Sequence, residues 1–396
     1  MLNKKNSFTA LALAVGVAAA NPAFAKFEPA VVPVGGMGLM PTVNLQVKQD
    51  DNILSEETNP TSSLVTVVSP SLVLGADAGV NNYTLAYVGN FGFYSESEAD
   101  NYTDSRVNFD VHQEFSPSLA LDLGGEFDAG HEDRGAGYSI GNVAGLTEPD
   151  RYQTVGGSML LNYGAQDSTG RVELAVDGNQ RAYQTRLAQT AIFDRTVVHT
   201  RATFFYNLSA ISSLLAEGNF SNIDYTDAAA TIDSTVQRYY VGASWNVSDL
   251  TEGVVKAGWQ IKDFANAAQT DFSGFGWEAG LNWTPMATTL INLTTASRTQ
   301  ETSSFGDYID SKTVSGSLQH NISDLLSATI TGDVTYNDYQ PTDEEDGIVT
   351  AGVSMDYSMR RWLSTGVGYT YSTRKSNQPG LDYTRNIFLL NIQASM

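Results

Sequence analysis

His112 stands two residues from Asp110 on one side and two from Glu114 on the other, and His199 stands two from Arg201. On an extended chain, residues two apart share a face, so each imidazole would have a charged neighbour within reach, the raw material of acid–base chemistry. No nucleophile completes it. Neither Gly-x-Ser-x-Gly nor His-Glu-x-x-His occurs. With four His and no Cys in 396 residues, a structural zinc site or a thiol enzyme has too few ligands to draw on. No catalytic residue, metal or cofactor is expected. The run Asp343-Glu344-Glu345-Asp346 could gather divalent cations beside lipopolysaccharide phosphates, but it lacks a spaced ligand pattern and reads first as a solvated loop tip.

The phase in which charges recur says more than any single pair. Asp110 and Glu114, then Asp122, Glu126 and Asp128, sit at even separations inside runs whose odd positions are apolar. That is strand periodicity, and it returns almost everywhere after residue 42. Tyr239, Val241, Ala243 and Trp245 alternate with Arg238, Tyr240, Gly242 and Ser244; Val255, Ala257, Trp259 and Ile261 alternate with Lys256, Gly258, Gln260 and Lys262. Helical periodicity is not sustained anywhere.

Turn signals punctuate the runs about every 40 residues, the length of a two-strand hairpin with its distal loop. They fall at Ala76 to Gly79, Ser116-Pro117, Asp167 to Gly170, Asn207 to Ser209, Asn246 to Asp249, Thr284-Pro285, Asn321 to Asp324 and Met359 to Arg361. Eight such turns delimit nine hairpins, hence about 18 strands, with 16 the nearest alternative. Longer polar loops are expected at the other end: Ser95 to Thr103, Asp224 to Asp233, Thr299 to Asp307, Asp338 to Gly347 and Thr373 to Asp382, with Gly130 to Asp150 the longest.

Ahead of the strands, residues 1–25 have the layout of a cleaved signal peptide: Lys4 and Lys5, an apolar stretch from Phe8 to Ala20, then Ala23-Phe24-Ala25. Residues 26–41 carry Pro29, Pro33, Gly35, Gly36, Gly38 and Pro41 and are expected to form a flexible segment without regular structure. The strand region would occupy 42–396.

A net charge of −22 excludes nucleic acid as a partner, since phosphate binding needs a basic face. It also bears on where the polar strand faces lie. A packed core could not hold Asp110, Asp122, Glu126, Asp128, Glu173, Asp177, Glu217, Glu278, Asp333 and Asp356, because each unpaired buried charge costs several kcal/mol. They face water. The apolar faces, ending in aromatics such as Tyr83, Phe93, Trp245, Trp283, Tyr357, Tyr369 and Tyr371, then face lipid, and an open sheet edge in hydrocarbon forces closure. The expected fold is all-β: a transmembrane antiparallel up-and-down β-barrel in the Gram-negative outer membrane, in contact with its lipid and lipopolysaccharide, around an aqueous lumen. Phe388, Leu390, Ile392, Ala394 and Met396 form its closing apolar face.

The same phases place Arg171, Arg181, Arg201, Arg238, Lys256 and Lys262 on one sector of the lumen and Asp110, Glu114, Asp122, Glu126 and Asp128 on another. Two readings stand side by side. The sectors create a transverse field that orients solutes, with Tyr183 and Tyr240 offering flat faces to sugar rings; or the charges pair between neighbouring strands and keep the wall wet and rigid. In either case acids outnumber bases, which predicts a preference for cations over anions.

Asp50-Asp51-Asn52, the string Val68-Ser69-Pro70-Ser71-Leu72-Val73-Leu74, Tyr83-Thr84-Leu85-Ala86-Tyr87 and the turns at Asn207, Asn246 and Asn321 resemble the Putative β-barrel porin 2 family from Pro41 to Met396. The resemblance implies an exit port for an exopolysaccharide or capsular polymer, fed by a periplasmic polysaccharide export protein. The alternative is a general diffusion porin for small hydrophilic solutes, with Gly130 to Asp150 as the one segment long enough to fold inward. A receptor or adhesin barrel with a blocked lumen would want longer loops or a plug.

Overall fold

A computed structural model of the protein describes residues 27, 29–143, 145–165, 168–247, 250–302 and 306–395. The signal-like stretch 1–25, Asp167, Asp249 and Met396 lie outside the described residues. No helix among the described residues is long and apolar enough to cross a membrane; the strands do the crossing.

Among the described residues nineteen strands make one sheet. A short β1 (Val32–Val34) precedes β2 (Met37–Asp50), β3 (Ser63–Ala78), β4 (Asn81–Tyr94), β5 (Tyr102–Ser116), β6 (Leu119–Glu132), β7 (Asp150–Tyr163), β8 (Gly170–Tyr183), β9 (Arg195–Ser209) and β10 (Ser212–Tyr225). There follow β11 (Ser234–Val247), β12 (Thr251–Phe264), β13 (Phe272–Met286), β14 (Thr289–Glu301), β15 (Tyr308–Asn321), β16 (Leu326–Gln340), β17 (Glu344–Arg360), β18 (Leu363–Ser376) and β19 (Tyr383–Ser395). From β2 onward each strand pairs antiparallel with the next, and β19 returns to β2 from Ile387↔Asp50 to Ser395↔Thr42. The result is a closed 18-stranded antiparallel barrel with one extra strand.

A strand of 14 residues is about 46 Å long and, at the usual barrel tilt, rises about 33 Å, enough to cross a hydrocarbon layer. Outward positions along the strands are apolar and exposed: Leu85, Phe93, Phe109, Val155, Phe204, Tyr239, Val255, Phe275, Ile330, Val353 and Phe388. The opposite phase carries the charges. At one end the connections are short, such as 117–118, 210–211 and 361–362; at the other they include 51–62, 133–149 and 184–194. Both barrel termini, the start of β2 and the end of β19, lie on the short-turn side.

Three expectations are corrected. Two turns come later than expected, after Ser209 and after Met286, because β9 and β13 run on; Pro285 is carried inside β13 by a register shift between Trp283 and Met286, and a bulge of this kind tolerates a missing N–H. Residues 26–41 are not devoid of regular structure. Gly35 and Gly36, both at positive φ, make a two-residue hairpin turn that pairs Val34 with Met37. Pro41 fits in β2 because β1 covers that edge only to Leu39 and β19 only from Thr42, so no ladder bond is lost there. The acidic run at 343–346 is not a solvated tip either. The connection is only 341–343, and strand alternation turns Glu344 and Asp346 into the interior, where both are buried and Arg374 Nη2 donates to them at 3.2 and 2.5 Å.

Candidate functional site in the barrel lumen

β5 and β6 set the first wall. Their register brings Arg106 opposite Asp128, and the guanidinium grips both carboxylate oxygens at 3.2 Å. His112 Nδ1 lies 2.6 Å from Asp122, which also takes a bond from Asn162 at 3.4 Å. The rest of the wall is left open. Asp110 faces Gly124, Glu114 faces Ala120, and Glu126 stands between Asn108 and Gly156. Among the described residues none of these three carboxylates forms an ion pair, although the Arg106 charge acts on Glu126. The acidic sector is therefore two acids in ion pairs and three outside them, and the signal that separates them is the residue directly across the ladder.

The second wall, β8 to β14, sets most of its bases beside carboxylates. Its bases are interleaved with carboxylates. Arg181 meets Glu132 at 2.5 Å while lying 3.7 Å over the Tyr152 ring; Arg171 meets Glu173 at 3.5 Å and covers Phe205. Lys256 bridges Glu217 at 2.8 Å and Glu278 at 2.7 Å, and Arg298 joins Glu278 at 2.6 Å. Arg201 stands between Ala175 and Asn219. Tyr183 and Tyr240 present no flat faces: both are buried, Tyr240 to 2% exposure with Lys256 Nζ 5.4 Å over its ring.

Arg238 and Lys262 serve a purpose the periodicity did not reveal. β13 and β14 are in register only from Glu278↔Ala296 toward the short-turn end, whereas β14 stays paired with β15 through Glu301↔Tyr308. Beyond Ala296 the tips of β14 and β15 leave β13 and lie inside the barrel against β11 to β13. Gln260 Nε2 donates to the Ser297 carbonyl at 3.0 Å, and Arg238 Nη2 donates to the Thr299 carbonyl at 3.3 Å. These side chains replace the ladder bonds that β14 gives up, which is why its edge can be buried. Lys262, with 0% of its side chain exposed, pairs with Glu301 and donates to Ser234 Oγ at 2.9 Å; Tyr225 donates to Glu301 at 3.0 Å. Tyr308 packs against Phe264 and Phe272. Gly276 makes the overlap possible, since a Cβ there would meet the Gln260 side chain at 2.6 Å.

The loop 133–149 occupies the other part of the long-loop mouth. Arg134 clamps Asp100 at 2.6 and 2.7 Å and also bonds Ser97 and the Leu146 carbonyl. Tyr138 packs on Phe193 and Gly141 abuts Leu381, so the loop reaches from the β8–β9 connection round to the β18–β19 connection. Its root is His131, stacked on Tyr102 and held between Asp104 at 2.9 Å and Asp133 at 3.1 Å. Burial works to raise the Asp133 carboxyl, but the His131 hydrogen bond and the charges of His131, Arg385 and Lys48 prevail and hold it below the ordinary carboxylate range.

Arg195 and Arg298 complete the interior and were not singled out from the sequence, although each falls in the polar phase of its strand. With Arg238, His199, Thr299 and Ser311 they line a cavity of about 470 Å³ between β8–β11 and the inturned tips. His199 Nδ1 lies 2.6 Å from Ser221 Oγ, a contact between neighbouring strands.

Comparison with known proteins agrees with this architecture. Pseudomonas aeruginosa OccK2 (OpdF), solved in complex with glucuronate, superposes with a TM-score of 0.50 at 9% identity, covering 90% of this chain and 98% of that one. Unliganded OccK2 gives 0.49 at 10% identity over 90% and 98%, and OpdO from the same organism 0.48 at 11% over 91% and 97%. At these identities the likeness is one of fold. None of the curated proteins matches the sequence. The family described as Putative beta-barrel porin 2 matches residues 25–396, and the chain, an outer-membrane porin-like β-barrel, belongs to that family.

Proposed function

We propose that the barrel is a diffusion channel carrying small hydrophilic solutes across the outer membrane. The observation that carries this reading is the division of the sheet into an apolar exterior and a charged, water-facing interior whose bore is narrowed from two sides, by loop 133–149 and by the tips of β14 and β15. A narrowed wet bore admits single sugars and ions more readily than a polymer, which would need both obstructions to move. Export of a polysaccharide with a periplasmic partner, which the family resemblance implies, therefore takes second place.

The test is swelling of liposomes holding the purified full-length protein, with saccharides of increasing size. Glucose is expected to enter and saccharides of several rings to be excluded. No entry of glucose would sink the channel reading. In a deletion strain, loss of surface polymer with unchanged small-solute uptake would favour the export port instead.

A further inference from the structure

The seam between β13 and β14 is only half made. β13 keeps β12 beside it from Phe272 to Trp283, but β14 joins its other edge only as far as Glu278↔Ala296. Among the described residues no strand lies against that edge from Phe272 to Trp277, and in an antiparallel ladder alternate residues aim their N–H and C=O at the missing neighbour. Open edges of this kind are what barrel closure removes. The matching length of β14, Ser297 to Glu301, is held instead by side chains: Gln260 and Arg238 on two of its carbonyls, Lys262 and Tyr225 on Glu301.

The two unpaired lengths fit each other. Continuing the register sets Ser297 opposite Trp277, Arg298 opposite Gly276, Thr299 opposite Phe275, Gln300 opposite Gly274 and Glu301 opposite Ser273. On the lumen side each long side chain then meets a glycine. On the lipid side the β-branched Thr299 meets Phe275, a favourable cross-strand pair. Neither length contains proline, so every ladder bond can form. Glu301 would lie beyond Phe275, an exposed aromatic, and so at headgroup height instead of in hydrocarbon. Tyr308, its partner on β15, would join the aromatic girdle there.

We propose that the tips of β14 and β15 have a second seat, in the wall, with β14 zipped onto β13 as far as Ser273↔Glu301, and that passage between the two seats widens and narrows the bore. The exchange trades a side-chain latch for ladder bonds, so the Ser297 and Thr299 carbonyls are satisfied in both arrangements. Only the wall seat also satisfies the β13 edge. The gate rests on the channel reading, since widening is read by conduction; the second seat is read chemically.

The chain has no Cys, so an introduced pair reports alone. In the folded full-length barrel, Phe275→Cys combined with Thr299→Cys tests the wall seat, because directly opposed residues of a ladder lie about 4.5–5.5 Å apart at Cα, within disulfide reach. Thr299 lends the latch only its carbonyl, so this pair leaves the inturned seat intact. Oxidation is expected to form the bridge, read by peptide mass, and to raise single-channel conductance in planar bilayers about twofold, reversed by reductant. Lys262→Met removes the cation of the latch and is expected to speed bridging several-fold. Should the first pair lose its heat-dependent gel shift, Gly274→Cys combined with Gln300→Cys tests the same seat. Failure of the folded protein to bridge overturns the second seat, and bridging with unchanged conductance overturns the gate. Bridging in a barrel that admits no glucose in either redox state supports the second seat and sinks the channel reading alone.

Discussion

The two charged walls of the lumen use the same residue types to opposite ends. On β5 and β6 the positions facing Asp110 and Glu114 across the ladder are Gly124 and Ala120, so those carboxylates stay in water and act on whatever passes. On β10 and β12 to β14 side chains set base against acid, Glu217 to Lys256 to Glu278 to Arg298, and Lys262 is sealed under the inturned tip that carries Glu301. Net charge is a property of composition. Whether it is felt in the bore depends on what stands one strand away.

The comparison breaks most decisively at the sealed wall. Lys262→Met strands Glu301 in the interior, and removal of one partner of a buried pair typically costs about 3–5 kcal/mol. Urea unfolding of the detergent-folded barrel should register that loss, and a midpoint equal to wild type would show that the tips are not held by this pair. Gly276→Val drives a side chain into Gln260 and should cost about 1–3 kcal/mol as overpacking does. Its expected signature is a larger single-channel conductance from a displaced β14 tip, and an unchanged conductance would argue that the tip does not limit the bore.

The root of loop 133–149 gives a pH test. The Asp133 carboxyl is held below its ordinary range. Its contribution is therefore fully present above that range and is lost as the pH falls through the lowered value. Acidification should free the loop and raise proteolytic nicking within 133–149, while Asp133→Asn should show the freed pattern at neutral pH. Nicking that is indifferent to both would remove Asp133 from the anchor. The smallest effect belongs to the open wall. Replacing Asp110, Glu114 and Glu126 by their amides should leave stability within about 0.5 kcal/mol, yet lower the cation preference in planar bilayers about twofold. A reversal potential that does not move would place the selecting charges elsewhere.

The membrane barrel itself was legible because its signal is repeated: eight turns and period-two runs need no tertiary information, and the strand count followed. The lumen residues were legible as a set for the same reason, since pleat alone decides their side. Their pairing was not. That Asp122 meets His112 while Asp110 meets a glycine depends on register, which one strand does not disclose about its neighbour. The departure of β14 from β13 was hidden more deeply. Ser297, Thr299 and Glu301 alternate as ordinary lipid-side positions would, and only the side chains of Gln260, Arg238 and Lys262, two and three strands away, give them interior partners. Pro33 and Pro41 misled in the opposite direction: proline forbids a central ladder, and β1 and the gap beside it are the edge positions where that rule lapses.

β1 lies end to end with β19 along one margin of β2, and the Ala30 amide donates to the Ser395 hydroxyl at 2.7 Å. The earliest and latest described parts of the chain are thereby spliced at a single joint. Until the final hairpin has zipped onto β2, Ala30 has nothing to grasp. Engagement of this clasp thus requires β19 to be seated on β2, and it marks the cylinder as sewn shut.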